Sequence, residues 1–406
     1  MDLKSDLPSG SMTTDNKITA FSSRLRSHVW CYLIDEFTPA LFLPVMGIGI
    51  SSDLLYDFPY PHEWLRVLGY MFFALGCIVF FVDIASLTAV LINQPSRFID
   101  LNSNPKIAPF MGCFPMGYMT LVNFVWAISR PRTSVLIFVL WWISVVLSLY
   151  TSCIVFYFTF IVKLPNNRIS QQDLHLTILF PIVAITVASS QGNIFLQDLP
   201  NKHLKLVALV TCLCLWSIAV CMAFIIITIN FWKIFVHKLP PMALIFTSFL
   251  PTGFLGQAGY SIMLVGHNIN HLAHTYMENE QEATIIGHIS TYVGGFICLL
   301  FIAIGYFMTF LAIASVFSKL SPFKPHKNPQ LSKYGLMRFN RGFWATTFPL
   351  GTMSLAQVEF ARSFDPGFMF FKVMGTIYAV SCILCTVVCI TGVLHRIFKQ
   401  LRHHQV

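Results

Sequence analysis

The chain has 406 residues, of which 56% are apolar and 11% charged, and its net charge is +9. Soluble domains carry about 25% charged residues and rarely fill a chain this long, so these figures exclude an ordinary soluble domain and point to an all-α membrane protein, in which lipid replaces water around most of the surface. The cations lie in short segments between apolar runs rather than in one patch, which excludes nucleic acid as a partner and makes membrane lipid the expected surroundings.

Residues 1–36 are mostly polar, carry no recognisable cleavable signal and read as an N-terminal tail. Within it Phe21, Leu25, Val29 and Leu33 recur every four residues, with Arg24, Arg26 and His28 between them. That pattern suits either a helix lying on the membrane surface or a plain connector. Residues 37–395 hold ten apolar runs, read as spans of roughly 20 residues each. The first, Phe37–Ser51, carries LPVMGIGISS (Leu43–Ser52), which ends one residue beyond it. The second, Leu65–Leu91, is clean except for Asp83, an intramembrane carboxylate whose expected role is pairing within the bundle, with a neighbour such as His288. Phe110–Ile128 holds FPMGYMT (Phe114–Thr120) and is followed by the clean run Ser134–Val162. Leu176–Phe195 holds FPIVAITVASS (Phe180–Ser190), followed by Leu206–Phe235. Met242–Val265 holds LPTGFLGQAGYS (Leu250–Ser261), followed by Thr284–Phe317. Phe343–Gln357 holds FPLGTMS (Phe348–Ser354), followed by Phe370–Leu394. Residues 396–406 form a C-terminal tail. Most cysteines sit inside these runs and are expected to be free thiols; for Cys382-x-x-Cys385, packing is favoured over a redox or metal pair.

Interrupted and clean runs alternate five times, the mark of a repeated unit. Pro44, Pro115, Pro181, Pro251 and Pro349 are each expected to kink a helix by removing one hydrogen bond. The freed carbonyls are tolerated at membrane depth only against protein or a water-filled cavity. The expected architecture is therefore ten transmembrane helices as five hairpins, with five kinked inner helices around a central pore. Ser51, Thr120, Ser189, Ser190, Thr252, Ser261, Thr352 and Ser354 are candidate pore-lining hydroxyls, able to donate to an anion without carrying charge. The competing reading of the same small residues is close helix packing. The residues before the prolines are Leu43, Phe114, Phe180, Leu250 and Phe348. They are expected at similar depth, as a hydrophobic constriction or as core, with Phe348, Phe114 and Phe180 the candidate gate. Scarce fixed charge in the interior favours weak binding and fast release of a small anion.

Ten spans put both termini on one side. Counting flanking residues places 19 of the 26 Lys and Arg on the side of the termini and of loop 318–341, which should be cytoplasmic.

Five stretches carry a resemblance: VMGIGISSDLLYDFPYPHEWLR (Val45–Arg66), FPMGYMTLVNF (Phe114–Phe124), FPIVAITVASS (Phe180–Ser190), KLPPM (Lys238–Met242) and FWATTFPLGTMSLA (Phe343–Ala356). Together they resemble the sulfite-exporting fungal members of the tellurite-resistance/dicarboxylate transporter family, with the plant slow anion channels as more distant relatives, over residues 37 to 395. The resemblance implies a pseudo-five-fold pore, a homotrimer with one pore per protomer, a phenylalanine on the ninth helix (Phe348 in TFPLG) that occludes the pore, and export of the inorganic anion sulfite across the plasma membrane. The short tail after Leu394 and the reduced loop near Asn166 are departures that bear on regulation.

A malate or dicarboxylate transporter of the same family would favour an Arg or Lys facing the path, and no interrupted run carries one at its centre. A membrane metalloenzyme would use His267, His271 and His274, near one helical face. Such enzymes need several histidine boxes on one side, and here His403 and His404 lie on the opposite side. No enzyme activity, metal or cofactor is expected.

Overall fold

A proline lacks the backbone N–H that an α-helix interior needs, but the first turn leaves its N–H groups unpaired in any case. That is where the five prolines fall. The computed structural model describes residues 31–164, 175–319, 339–364 and 368–403. In it Pro44 lies in the first turn of α1 (Phe42–Tyr56), Pro115 of α3 (Cys113–Ser129), Pro181 of α5 (Leu179–Phe195), Pro251 of α7 (Leu250–Tyr276) and Pro349 of α9 (Thr347–Ser363). Each helix is led in by a 3₁₀ segment: Pro39–Leu41, Ala108–Gly112, Leu176–Ile178, Met242–Phe249 and Arg341–Thr346. The break expected at each proline is a 3₁₀-to-α junction, not a kink in mid-helix.

The partners are longer: α2 (Glu63–Asn93), α4 (Ser134–Leu149, continued by π turns to Ile161), α6 (Lys202–His237), α8 (Glu280–Phe317) and α10 (Met369–His403). No strand occurs among the described residues. Eight of the described helices are long and apolar enough to cross a membrane. The other two expected spans fall short. Both are too polar: α9 carries Gln357, Glu359 and Arg362, with Arg341 in its lead-in, and α7 carries Gln257, His267, Asn268, Asn270, His271 and His274.

Burial separates two classes. The segments Pro39–Tyr56, Ala108–Ser129 and Leu176–Asp198 are 78%, 56% and 94% buried, against 28–39% for the five long helices. The long helices turn Ile, Val, Leu and Phe outward, as a lipid-facing surface requires. Each odd-numbered helix packs on the even-numbered one that follows it. The odd-numbered helices also touch one another in the cyclic order α1, α3, α5, α7, α9 and back to α1. Close approach is set by glycines: a Cβ on Gly256 of α7 would lie 2.6 Å from the Met353 backbone nitrogen of α9.

The tail pattern at Phe21–Val29, the segment near Asn166 and most of loop 318–341 lie outside the described residues.

Candidate functional site

The five odd-numbered helices converge at their starts. One residue from each lines a common void: Leu43 of α1, Met116 of α3, Phe180 of α5, Leu250 of α7 and Phe348 of α9, with Met46, Val183 and Trp344 adding apolar wall. The void, called the neck below for its position where the five helices converge, holds about 10 Å³, at or below what one water needs, which suits a dry space. Four of its members are the residues that precede the prolines. The fifth, Phe114, is not among them. Its ring packs on Phe42, 4.9 Å between centroids, and on Phe80 of α2 at 6.1 Å. Two residues further on, a rotation of about 200°, Met116 supplies the α3 side chain at the neck. Phe180 leans on Phe110 at 5.2 Å, whereas no ring stacks on Phe348 among the described residues.

Beyond this void the inner faces become more polar. Asp53 lies ten residues after Leu43, Tyr260 ten after Leu250 and Glu359 eleven after Phe348, close to three helical turns in each case. These three are partly exposed in otherwise buried stretches. With Asp57 and Arg362 they line a cavity of about 30 Å³ between α1, α7 and α9. Arg362 lies 2.9 Å from Asp57 and 3.9 Å from Glu359; Glu359 also meets His267 Nδ1 at 3.5 Å. Ser363 Oγ lies 2.9 Å from the other nitrogen of His267.

The candidate hydroxyls are all buried, and most of them join helices. Ser51 donates to the Gly47 carbonyl (2.7 Å) and pairs with Thr386 of α10 (2.8 Å). Ser354 donates to the Gly375 carbonyl of α10 (2.7 Å). Ser189 donates to the Cys212 carbonyl of α6 (2.7 Å) and pairs with Ser261 of α7 (2.8 Å). Thr352 bridges to the Gly253 carbonyl of α7 (3.0 Å). Thr120 donates to the Gly117 carbonyl (2.8 Å) and fills the space beside Gly49. Ser190 donates to the Val187 carbonyl (2.9 Å) and accepts from Gln257. Thr252 Oγ1 has no partner among the described residues. Serine and threonine inside a helix return to a carbonyl one turn back or reach across to the next helix, so these hydroxyls do not form a continuous pore lining. Ser51→Ala and Ser354→Ala should therefore each cost about 1 kcal/mol of stability and leave anion flux per folded protein near wild type. Thermal melting beside liposome flux checks this, and a large flux loss at unchanged stability would return these hydroxyls to the path.

Sequence reasoning missed the buried amides. Gln257 joins α7 to Ser190 of α5, Gln357 accepts from Tyr306 at 2.8 Å, and Asn268 donates to the Asn193 carbonyl at 2.8 Å. Gln191 is buried with neither polar atom paired among the described residues. An amide inside an apolar run was the available signal. Asp83 is buried on α2, and one of its carboxyl oxygens has no partner among the described residues. The expected pairing with His288 is not found; the His288 ring instead stacks on Tyr292. The other histidines go separate ways, His267 to Glu359 and His274 to Glu280 at 3.2 Å. Ten of the eleven cysteines are free thiols, and Cys382 sits 3.6 Å from Ser51.

The sequence pattern of the voltage-dependent anion channel family matches residues 36–394. Among curated relatives, the sulfite efflux pump SSU1 of Candida albicans is 41% identical, over 94% of this chain and 79% of its own length. That of Saccharomyces cerevisiae is 30% identical, over 91% and 90%. The pump of Trichophyton rubrum is 29% identical, over 86% and 87%.

Proposed function

The chain belongs to the voltage-dependent anion channel family, and from that premise we propose that it exports sulfite across the plasma membrane through a path along the axis of its five inner helices. It is a multi-pass α-helical membrane protein. On this reading all ten helices, the odd-numbered ones with their 3₁₀ lead-ins, span the membrane as five hairpins, residues 37–395 form the transport domain, and the tails 1–36 and 396–406 are cytoplasmic. Three protomers assemble, each with its own path. The orientation rests on the cation asymmetry, and the trimer and the gate on the family resemblance.

One observation supports the reading most: side chains from all five inner helices meet at one dry apolar neck. An ion crossing such a neck sheds water there, which suits a small anion and fast release. Among the described residues no cation lines the neck to hold a dicarboxylate by paired hydrogen bonds. The relatives named as sulfite efflux pumps supply the substrate.

The purified protein in liposomes should carry sulfite faster than malate, with nitrate and chloride measured alongside. Cells lacking the protein should retain more sulfite and grow less in its presence. Malate flux above sulfite flux, or equal sulfite tolerance with and without the protein, would reject this assignment.

A further inference from the structure

A buried polar atom normally finds a partner, because leaving it unpaired forfeits the hydrogen bonds it made with water. Among the described residues the exceptions are one oxygen each of Asp83, Ser148 and Thr252, and both polar atoms of Gln191. Asp83 and Ser148 belong to the lipid-facing helices α2 and α4. Thr252 follows Leu250 by two residues, about 200° round α7 from the side chain at the neck. Gln191 differs from all three. It is 1% exposed, it sits on an inner helix, and its amide leaves an N–H donor and a carbonyl acceptor free together.

The contacts of α5 fix which way Gln191 faces. It lies eleven residues after Phe180, which is three turns, about 20° further round and about 16 Å along the helix. Phe180 and Val183 line the neck. The opposite side of α5 is taken up by outer helices. Ser189 donates to the Cys212 carbonyl of α6, the Ala188 carbonyl accepts from Trp141 of α4, and a Cβ on Gly192 would run into Cys212 and Trp141. Ser190 turns to Gln257 of α7. The direction left to Gln191 is the one Phe180 takes, towards the axis of the ring. Along that line Phe180, Val183 and Val187 are apolar, and α5 carries no charged residue. Gln191 is the first polar group that this line offers beyond the neck.

We propose that the Gln191 amide is a binding station for the transported anion: Nε2 donates to one oxygen of a small oxyanion, and Oε1 accepts the proton of that anion's hydroxyl. The proposal rests on the sulfite reading above and deepens it. A ligand that satisfies both halves of the amide brings an acceptor oxygen and a proton together. Hydrogensulfite, the singly protonated form of sulfite, does so, whereas nitrate and chloride bring acceptors only. A neutral amide replaces part of the hydration lost at the neck without the tight hold of a cation, as conduction needs. The proton stays on the anion throughout, and no covalent bond changes. A purely structural amide would tie two helices, as Gln257 and Gln357 do; Gln191 ties none among the described residues. A trapped water is the other way to satisfy it, and that role predicts no response to sulfite.

The test is thermal melting of the purified full-length protein in sulfite or in equal nitrate, beside flux of both anions into liposomes. Wild type should melt higher in sulfite than in nitrate, as a ligand that binds only the folded state requires. Gln191→Leu should melt no lower than wild type without either anion, because an apolar group of similar shape relieves an unpaired buried amide. The variant should lose the extra stabilisation by sulfite. Its half-saturating sulfite concentration should rise about tenfold, the loss of one hydrogen bond to a charged partner, and its nitrate flux should change less. Gln191→Met, unbranched like glutamine, repeats the measurement if Gln191→Leu does not fold. Wild-type sulfite stabilisation and half-saturation in the folded variant overturn the proposal. So does an equal loss for sulfite and nitrate, which takes the anion's proton out of the recognition. Melting of both variants well below wild type without anion also overturns it, by making the amide structural. Wild-type protein that carries sulfite while the variants match it defeats this proposal alone. Wild-type protein that carries no sulfite defeats the substrate assignment as well.

Discussion

Phe348→Ala is expected to raise anion flux by about tenfold, equivalent to removing about 1.4 kcal/mol from the barrier, and to weaken discrimination between anions. Phe348 is 5% exposed and stands in the apolar void where all five inner helices meet. A ring in so small a dry space blocks water as well as ions. Truncation to alanine opens room for water, and a hydrated neck removes part of the cost of stripping the ion. Phe348 rather than Phe180 is the side chain to change, because Phe180 is held against Phe110 while no ring holds Phe348 among the described residues. If Phe348 were only a packing residue, the same truncation would leave a cavity costing about 3–5 kcal/mol, and stability and flux would fall together. The two outcomes have opposite signs. Liposome flux normalised to folded protein, with melting temperature measured in parallel, decides between them. A stable variant with flux at or below wild type removes Phe348 from the gate.

The alternation of interrupted and clean runs in the sequence anticipates the division into buried and lipid-facing helices, because a proline with small residues behind it and an unbroken Ile/Leu/Phe run have different compatible surroundings. The neck was legible for Leu43, Phe180, Leu250 and Phe348, since a residue adjacent to a proline at a helix start has a fixed place in the first turn. It failed for Phe114, whose ring is taken up by Phe42 and Phe80; which neighbour captures a side chain is a tertiary matter that spacing does not encode. The hydroxyls are ambiguous for a related reason. A small polar residue on an inner helix is equally suited to a pore and to a helix contact, and bonds such as Ser354 to Gly375 favour the contact. The acidic cavity was missed because helix ends were drawn where the apolar runs stop, at Ser51 and Gln357. Helices α1 and α9 continue to Tyr56 and Ser363, and that extra length carries Asp53, Glu359 and Arg362 onto inner faces instead of into loops.

Gly256→Val should abolish the folded protein, and Gly256→Ala should leave it severely destabilised. The contact between α7 and α9 is made by backbone against backbone. A Cβ on Gly256 would stand 2.6 Å from the Met353 nitrogen and 2.7 Å from the Thr352 carbonyl carbon. Neither is the end of a flexible chain, so the helix axes must part. Overpacking a side-chain core costs about 1–3 kcal/mol, and moving a helix costs more because other contacts break with it. Thr352 would lose its 3.0 Å bond to the Gly253 carbonyl, and Gly253 its contact with Pro349. These contacts lie beside the first turns that carry Leu250 and Phe348, so the neck would open or collapse as the seam fails. Gly259 is the internal control. A Cβ there would meet the Cys298 sulfur and the Phe301 Cβ of α8 at 3.4 Å, an ordinary contact, so Gly259→Ala should fold and carry anions near wild type. Yield of monodisperse protein and thermal melting report the seam, and flux reports the neck. A Gly256→Val protein with wild-type stability and flux would mean that α7 and α9 do not touch at this point, and the ring of inner helices would be open there.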